Sequence, residues 1–469
     1  MQPSMFNLRV PIAANHEDVF LMNTLTDAQL VVSRDVVALL DRAASGDPLD
    51  GLDHEAADAL GVLKENGFLV DDRETDRQAL DTFFATMRGD RSELHITVLT
   101  TLQCNFACDY CFQGDHGDYN KFADKMSLET ALRVSDWIER EIDRVQPERL
   151  VIMFFGGEPL LNLPAMYAIA ERAAAAANAR GVRVAMSIIT NGLLLTADVV
   201  DRMVPLGLKG VKITLDGDRE THNRMRPLRG GQGTFDRIIE NMRACADRVP
   251  ISIGGNFDES SFASYPALLD YLREQDFADK LVKVNFKQII ATTAATPKGV
   301  LPLTPVNGDG KPLGGTCMTS AGKGNAKAGC SSCATSEDQL GFLRRETQKR
   351  GFPTPSGVPS GPCHVHLTHA HTIGPDGSLY ACPGFTGDKT QSTGHIDDRR
   401  EGWRESARER FDRLHPWDEC GDCAYIPICA GGCLVASHTE LGDMNLPTCH
   451  KPSFESAVIA LAHQTAGAA

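Results

Sequence analysis

Three cysteines crowd the short stretch CNFACDYC as Cys104, Cys108 and Cys111. Their number narrows the chemistry. A structural zinc site takes four ligands, usually as two pairs, and a disulfide takes two, yet no fourth Cys or His of matching spacing lies nearby. A four-iron four-sulfur cluster held by three thiolates on one loop keeps one iron free for a small molecule. The ring of Tyr110, just before the last thiol, would shield it from solvent. A second set, Cys363, Cys382, Cys420, Cys423, Cys429, Cys433 and Cys449, lies in a loop-rich segment near the C-terminus. It has few apolar residues to hold it, so metal ligation is expected to supply its core. The first residues lack a charged stretch followed by an apolar run, so the expected compartment is the cytoplasm, where thiols ligate metals rather than pair as disulfides.

The elements that must position these residues follow from the pattern along 469 residues, a length that implies two or three domains. A net charge of −15 with no basic run argues against nucleic acid as a partner, and no apolar stretch is long enough to span a membrane. Residues 1–80 read as short strands, two helices and a last strand, a small winged-helix-like module; 81–92 read as a linker. From 93 to 290, six apolar strands (HITVLTT, RLVIMFFGG, RVAMSIITNG, GVKITLDG, PISIGGNFD, KVNFKQII) alternate with amphipathic helices. Such βα repeats imply a parallel sheet curled into a partial (β/α)6 TIM barrel, an α/β fold. CNFACDYC, GGEP, TNG and DG follow the first four strands, at the carboxyl ends where such barrels build their sites. Residues 291–362 are a Gly/Pro/Ser-rich connector with one helix, partly covering the barrel mouth; 363–450 hold the later cysteines, and 451–469 a terminal helix.

CxxxCxxC after the first strand, with GGEP ending the second, resembles the radical S-adenosylmethionine (SAM) superfamily over residues 93–290. The resemblance implies S-adenosyl-L-methionine as cofactor, chelated by the open iron and cleaved by one electron to a 5'-deoxyadenosyl radical that abstracts hydrogen from substrate. It places Gly156, Gly157 and Glu158 at the methionine ammonium. Thr190 and Asn191 of TNG, with Thr214, Asp216 and Arg226, resemble the ribose and carboxylate segments, Arg226 pairing the SAM carboxylate. The plainer alternative for Asp216 is closure of a turn.

The later cysteines, with Gly377 between Cys363 and Cys382 and CxxCxxxxxCxxxC from Cys420 to Cys433, resemble the SPASM extension of radical SAM maturases, which binds two auxiliary four-iron clusters. Three 4Fe-4S clusters are then implied in all. The resemblance assigns Cys363, Cys382 and Cys433 to the nearer auxiliary cluster and Cys420, Cys423, Cys429 and Cys449 to the distant one. A fourth ligand for the nearer cluster is sought among Cys317, Cys330 and Cys333, with Cys333 or Cys330 preferred; zinc at Cys420 and Cys423 is the alternative. The histidines of CHVHLTHAH are expected to be mostly strand alternation and solvated surface. Cys245, within a helical pattern, reads as a small core residue.

The N-terminal module resembles the peptide-recognition domains of such maturases, which take a precursor's leader as an added β-strand. The reading that follows is a maturase forming a thioether or a C–C/C–O type crosslink in a ribosomally made peptide. Its partners would be a precursor peptide with a leader sequence and an electron donor such as flavodoxin or ferredoxin. The alternative enzyme is an anaerobic sulfatase maturase, whose relatives place an Asp directly after the cysteine equivalent to Cys382; here Pro383 stands there. A non-catalytic iron-sulfur or zinc scaffold is the remaining alternative, and it has no use for GGEP. No catalytic base is identifiable.

Overall fold

The computed structural model describes residues 1–12, 18–49, 51–111, 113, 123–289, 331–355, 357–358, 361–398, 408–449 and 451–467. Cys317 and Cys330 lie outside these residues, as does the side chain of Cys333 and most of the connector expected over the barrel mouth.

The N-terminal elements are β1 (Gln2–Pro3), β2 (Asn7–Pro11), β3 (Asp18–Asn23), β4 (Gln29–Ser33), α1 (Arg34–Ser45), α2 (His54–Glu65), β5 (Leu69–Val70) and α3 (Arg73–Gly89). β2, β3 and β4 form an antiparallel sheet in that order. The apolar run from Asp18 to Ser33 breaks into a hairpin at Asp27, which takes a left-handed φ of 58°, a conformation that Asp tolerates better than most residues. Strand alternation then gives β3 two buried faces. Leu21 packs with Leu40, Leu63 and Phe68 inside the module, while Phe20 and Met22 pack on Tyr425, Ile428, Val458 and Ala462 of the C-terminal region. α3 runs unbroken through the expected boundary at residue 80 and buries Leu80 and Phe84 against Trp417 and Ile426. The module is therefore seated on the cysteine-rich segment.

Strands β6 (Glu93–Leu99), β7 (Arg149–Phe155), β8 (Arg183–Thr190), β9 (Leu208–Thr214), β10 (Ile251–Phe257) and β11 (Leu281–Gln288) are the six expected parallel strands. Between them run α4 (Leu128–Val145), α5 (Leu163–Ala179), α6 (Ala197–Met203), α7 (Arg219–Met225), α8 (Phe235–Cys245) and α9 (Tyr265–Arg273). Each strand buries alternate residues, such as Leu150, Ile152 and Phe154 in β7, under helix residues including Trp137, Ile138 and Ile169. The intervening Val151, Met153 and Phe155 are only half-buried. Helices thus cover one face, and curling of the sheet gives the other face its lumen. Cys245 is fully buried in this core.

The sheet also extends into the cysteine-rich segment, which the sequence suggested was mostly loop. β12 (Ala370–Ile373) pairs parallel with β6, and β13 (Ser378–Tyr380) and β14 (Gly394–His395) continue the sheet antiparallel. The expectation that the C-terminal segment lacks an apolar core is corrected, because Val365, Tyr380, Phe385, Phe411, Leu414 and Leu434 form one. The expected solvation of the histidines holds for His364, which is exposed, and is corrected for His366 and His369, which are buried where the edge of β6 draws this stretch into the sheet. α10 (Ser331–Lys349) and a C-terminal helix, Lys451–Gly467, pack near β11. No described helix is long and apolar enough to cross a membrane.

Candidate functional site

The Cys104 loop leaves β6 and is held from three sides. Leu102 N donates to Asp124 O at 2.8 Å, Ala107 N to Pro227 O at 2.9 Å, and Arg229 Nε to Cys104 O at 2.9 Å. The turn after β7 lies directly on it, with Gly157 N donating to Thr101 O at 3.0 Å and Glu158 N to Gln103 O at 2.8 Å. This closeness explains the two glycines. A Cβ on Gly156 would sit 2.3 Å from Thr101 O, and one on Gly157 would sit 2.3 Å from Gln103 O. Any side chain would separate the turn from the cysteine loop.

Glu158 is fully buried. Its carboxylate accepts from Leu160 N at 3.0 Å, Thr190 Oγ1 at 2.8 Å and Asn191 N at 2.8 Å. Burial raises its pKa, and these donors oppose the rise. Two of the three are backbone N–H groups that cannot accept a proton, so the geometry suits the ionised form. Glu158 therefore ties the end of β7 to the end of β8. Asn191 in turn donates to Asn105 Oδ1 at 2.7 Å, beside Cys104.

Asp216 is fully buried and is the hub of a network rather than a turn closer. It accepts from Asn256 N at 2.7 Å, from the Tyr110 hydroxyl, and from Arg226 at 3.4 Å. Arg226 also donates to Tyr110 Oη at 2.7 Å. Despite desolvation, Tyr110, Asp216 and Cys108 hold the Arg226 pKa well above its ordinary value, and its Nε is buried with no partner among the described residues. His222 Nδ1 accepts from Asp216 N at 3.1 Å, which leaves Nε2–H to donate to Thr234 Oγ1 at 3.1 Å. Burial and the nearby Arg226 push its pKa well below the ordinary value. Thr214 stands half-buried on β9, opposite Gly254 of β10. His222, Asn105 and Asn256 were missed by sequence reasoning; Asn256, at the end of a barrel strand, carried the one usable signal.

The half-buried thiols of Cys104 and Cys108 are pushed up to about 12 and about 11, mainly by desolvation. A positively charged group bound there would reverse that penalty. The later thiols fall into two electrostatic neighbourhoods. Cys382 feels Cys363 and Cys433, whereas Cys420 feels Cys423, Cys429 and Cys449. A cavity of ≈ 210 Å³ is lined by Cys363, Cys382, Cys433 and Cys429 with apolar Val365, Leu434 and Phe454. Among the described residues no three His, Cys, Asp or Glu side chains converge tightly enough for one metal ion. A cubane asks less, since each thiol meets a different iron. A cysteine trio beside the orphaned Arg226 Nε, under a glycine turn that a Cβ would fill, fits a cluster and a ligand bearing a carboxylate.

Residues 98–257 match the Radical SAM superfamily. The chain carries a radical SAM domain. Fe-coproporphyrin III synthase of Methanosarcina barkeri is 26% identical over 193 residues, 40% of this chain and 42% of that protein. The chain thus spans less than half the length of this relative. Two solved structures share the fold. The structure titled anSMEcpe with bound AdoMet matches at a TM-score of 0.55 and 19% identity, covering 79% of this chain and 98% of that one. Streptococcus suis SuiB bound to precursor peptide SuiA matches at 0.51 and 14% identity, covering 96% and 99%.

Proposed function

We propose that this enzyme matures a ribosomally made peptide, removing a hydrogen atom from a core residue so that a thioether or C–C/C–O crosslink can form. The observation that carries the reading is the N-terminal module. Among the described residues β4 pairs only with β3, so its outer edge is open to a leader peptide as an added strand. The module also sits on the segment that carries the later cysteines. The SuiB likeness, which extends over nearly the whole chain, supports this at the level of fold.

In this reading Cys104, Cys108 and Cys111 hold the SAM-binding cluster. Cys363, Cys382 and Cys433 hold one auxiliary cluster, and Cys420, Cys423, Cys429 and Cys449 the other, as a SPASM domain does. When bound, the first cluster and SAM supply one-electron cleavage of a sulfonium and abstraction of hydrogen. The chain supplies position: Arg226 Nε pairs the carboxylate, Tyr110 covers the cysteine loop, Asp216 orients both, and Glu158 holds the loops that frame the methionine end. Flavodoxin or ferredoxin is the class of electron donor. A sulfatase-maturase reaction is the second reading, favoured by the anSMEcpe likeness at the level of fold and opposed by Pro383.

The test searches the neighbouring genes for a short precursor and takes that peptide, with and without its leader, following peptide mass and 5'-deoxyadenosine at low peptide concentration. Tethering by the leader is expected to raise modification by about a hundredfold or more. Equal rates for the two peptides would remove the main support for this reading over the second. Metal analysis is expected to find about twelve irons per chain. Alanine at Cys104, Cys108 and Cys111 is expected to abolish 5'-deoxyadenosine.

A further inference from the structure

One wall of the barrel lumen is cationic in a chain of net charge −15. On β9, Val211 and Ile213 enter the helix-covered core, so Lys212 between them faces the lumen. On β11 the same alternation turns Lys283, Asn285 and Lys287 inward while Val284 and Phe286 are buried. Register aligns these residues across the sheet. Ser252 of β10 pairs with both Lys212 and Lys283, and Asn256 pairs with Lys287. Lys212 then leans along the strand toward the site, because its Cε and Nζ lie 2.6 and 3.4 Å from where a Cβ on Gly254 would stand. The missing side chain at Gly254 opens that lane. Lys287 lies level with Asn256, which binds Asp216.

Lys283 and Lys287 have space beside them. A cavity of ≈ 450 Å³ along β11 is lined by Lys283, Asn285, Lys287 and Arg344 of α10, and none of its lining residues is acidic. No ion pair engages Lys212, Lys283 or Lys287 among the described residues, although the surface is rich in Arg–Asp and Arg–Glu pairs. Lys212 is exposed to the lumen, yet desolvation and the like charges of Lys287 and Lys283 lower its pKa. Such mutual repulsion is relieved by an anion.

We propose that Lys212, Lys283 and Lys287 receive a carboxylate of the substrate, so that an acidic residue near the modified position selects and orients the peptide. This rests on the peptide reading above. The lysines would act as specificity-determining groups, each offering a point charge on a flexible stem to a carboxylate whose exact placement can vary.

The test uses the full reconstituted chain with SAM and two fluorescent ten-residue peptides, Ala-rich and identical except for two central Glu or two central Gln residues. The Glu peptide is expected to bind about tenfold or more tightly, and the gap to shrink with added salt. Replacing Lys212, Lys283 and Lys287 with Gln should erase the gap without stopping uncoupled 5'-deoxyadenosine formation, and replacing them with Arg should retain it. Equal binding of the two peptides by the unaltered enzyme overturns the proposal, whether or not the Gln variant folds. So does a preference that survives the Gln substitutions, or inorganic triphosphate binding through these lysines more tightly than the Glu peptide. Lysine-dependent binding of the Glu peptide without modification of any precursor keeps the acceptor and removes the peptide-maturase reading. Modification indifferent to acidic residues does the reverse.

Discussion

Replacing Glu158 with Gln separates two roles for this residue, since a contact with SAM and a clamp within the protein respond differently when no cofactor is bound. The Gln oxygen can keep the bonds from Leu160 N and Thr190 Oγ1. Its NH₂ then faces Asn191 N–H, formerly 2.8 Å from Oε2, and donor meets donor. A hydrogen bond to a charged group contributes about 1.5–3 kcal/mol, and a buried donor left unpaired costs about 1–3 kcal/mol. A loss of about 3 kcal/mol is therefore expected. At about 2–4 °C per kcal/mol for a domain of barrel size, this lowers the melting temperature of the cluster-free protein by about 6–12 °C. The assay is calorimetry or circular dichroism of Glu158→Gln beside the parent, both free of SAM and iron. A melting temperature within about 1 °C of the parent, with only SAM affinity reduced, would refute the clamp and leave Glu158 as a ligand contact alone.

Phe84 stacks on Trp417 with ring centroids 4.1 Å apart, so Phe84→Ala is expected to cost about 3–5 kcal/mol at this contact. Limited proteolysis should then cut near α3 much faster while melting of the barrel changes little; an unchanged cleavage rate would contradict the docking. His222 bears on acid stability, because its folded pKa lies well below the unfolded value near 6.5. The folded state thus binds fewer protons, and the stability His222 contributes is present above that value and is lost as pH falls below it. His222→Asn keeps an acceptor for Asp216 N and cannot titrate, so urea midpoints should fall less between about pH 7 and about pH 5 than in the parent. Parallel slopes would refute this.

The βα alternation from His95 to Gln288 was legible in the sequence because parallel strands buried under helices must repeat apolar residues in alternation. The cysteine trio and GGEP were legible because their chemistry depends on residue type and local spacing. Tertiary structure alone decided which distant groups meet. Asp216, Tyr110, Arg226 and His222 come together because the first cysteine loop folds across to the end of β9, a closure between residues 106 positions apart for Tyr110 and Asp216. The pairing of β12 with β6 was illegible for a related reason: a four-residue strand carries little periodicity, and nothing local shows that the open edge of β6 recruits it. The lysines of β9 and β11 carry no signal in the sequence, since alternation does not say which face is water and which is lumen. Only curling of the sheet, with helices on one face, turns that polar face inward and gathers its charges on one wall.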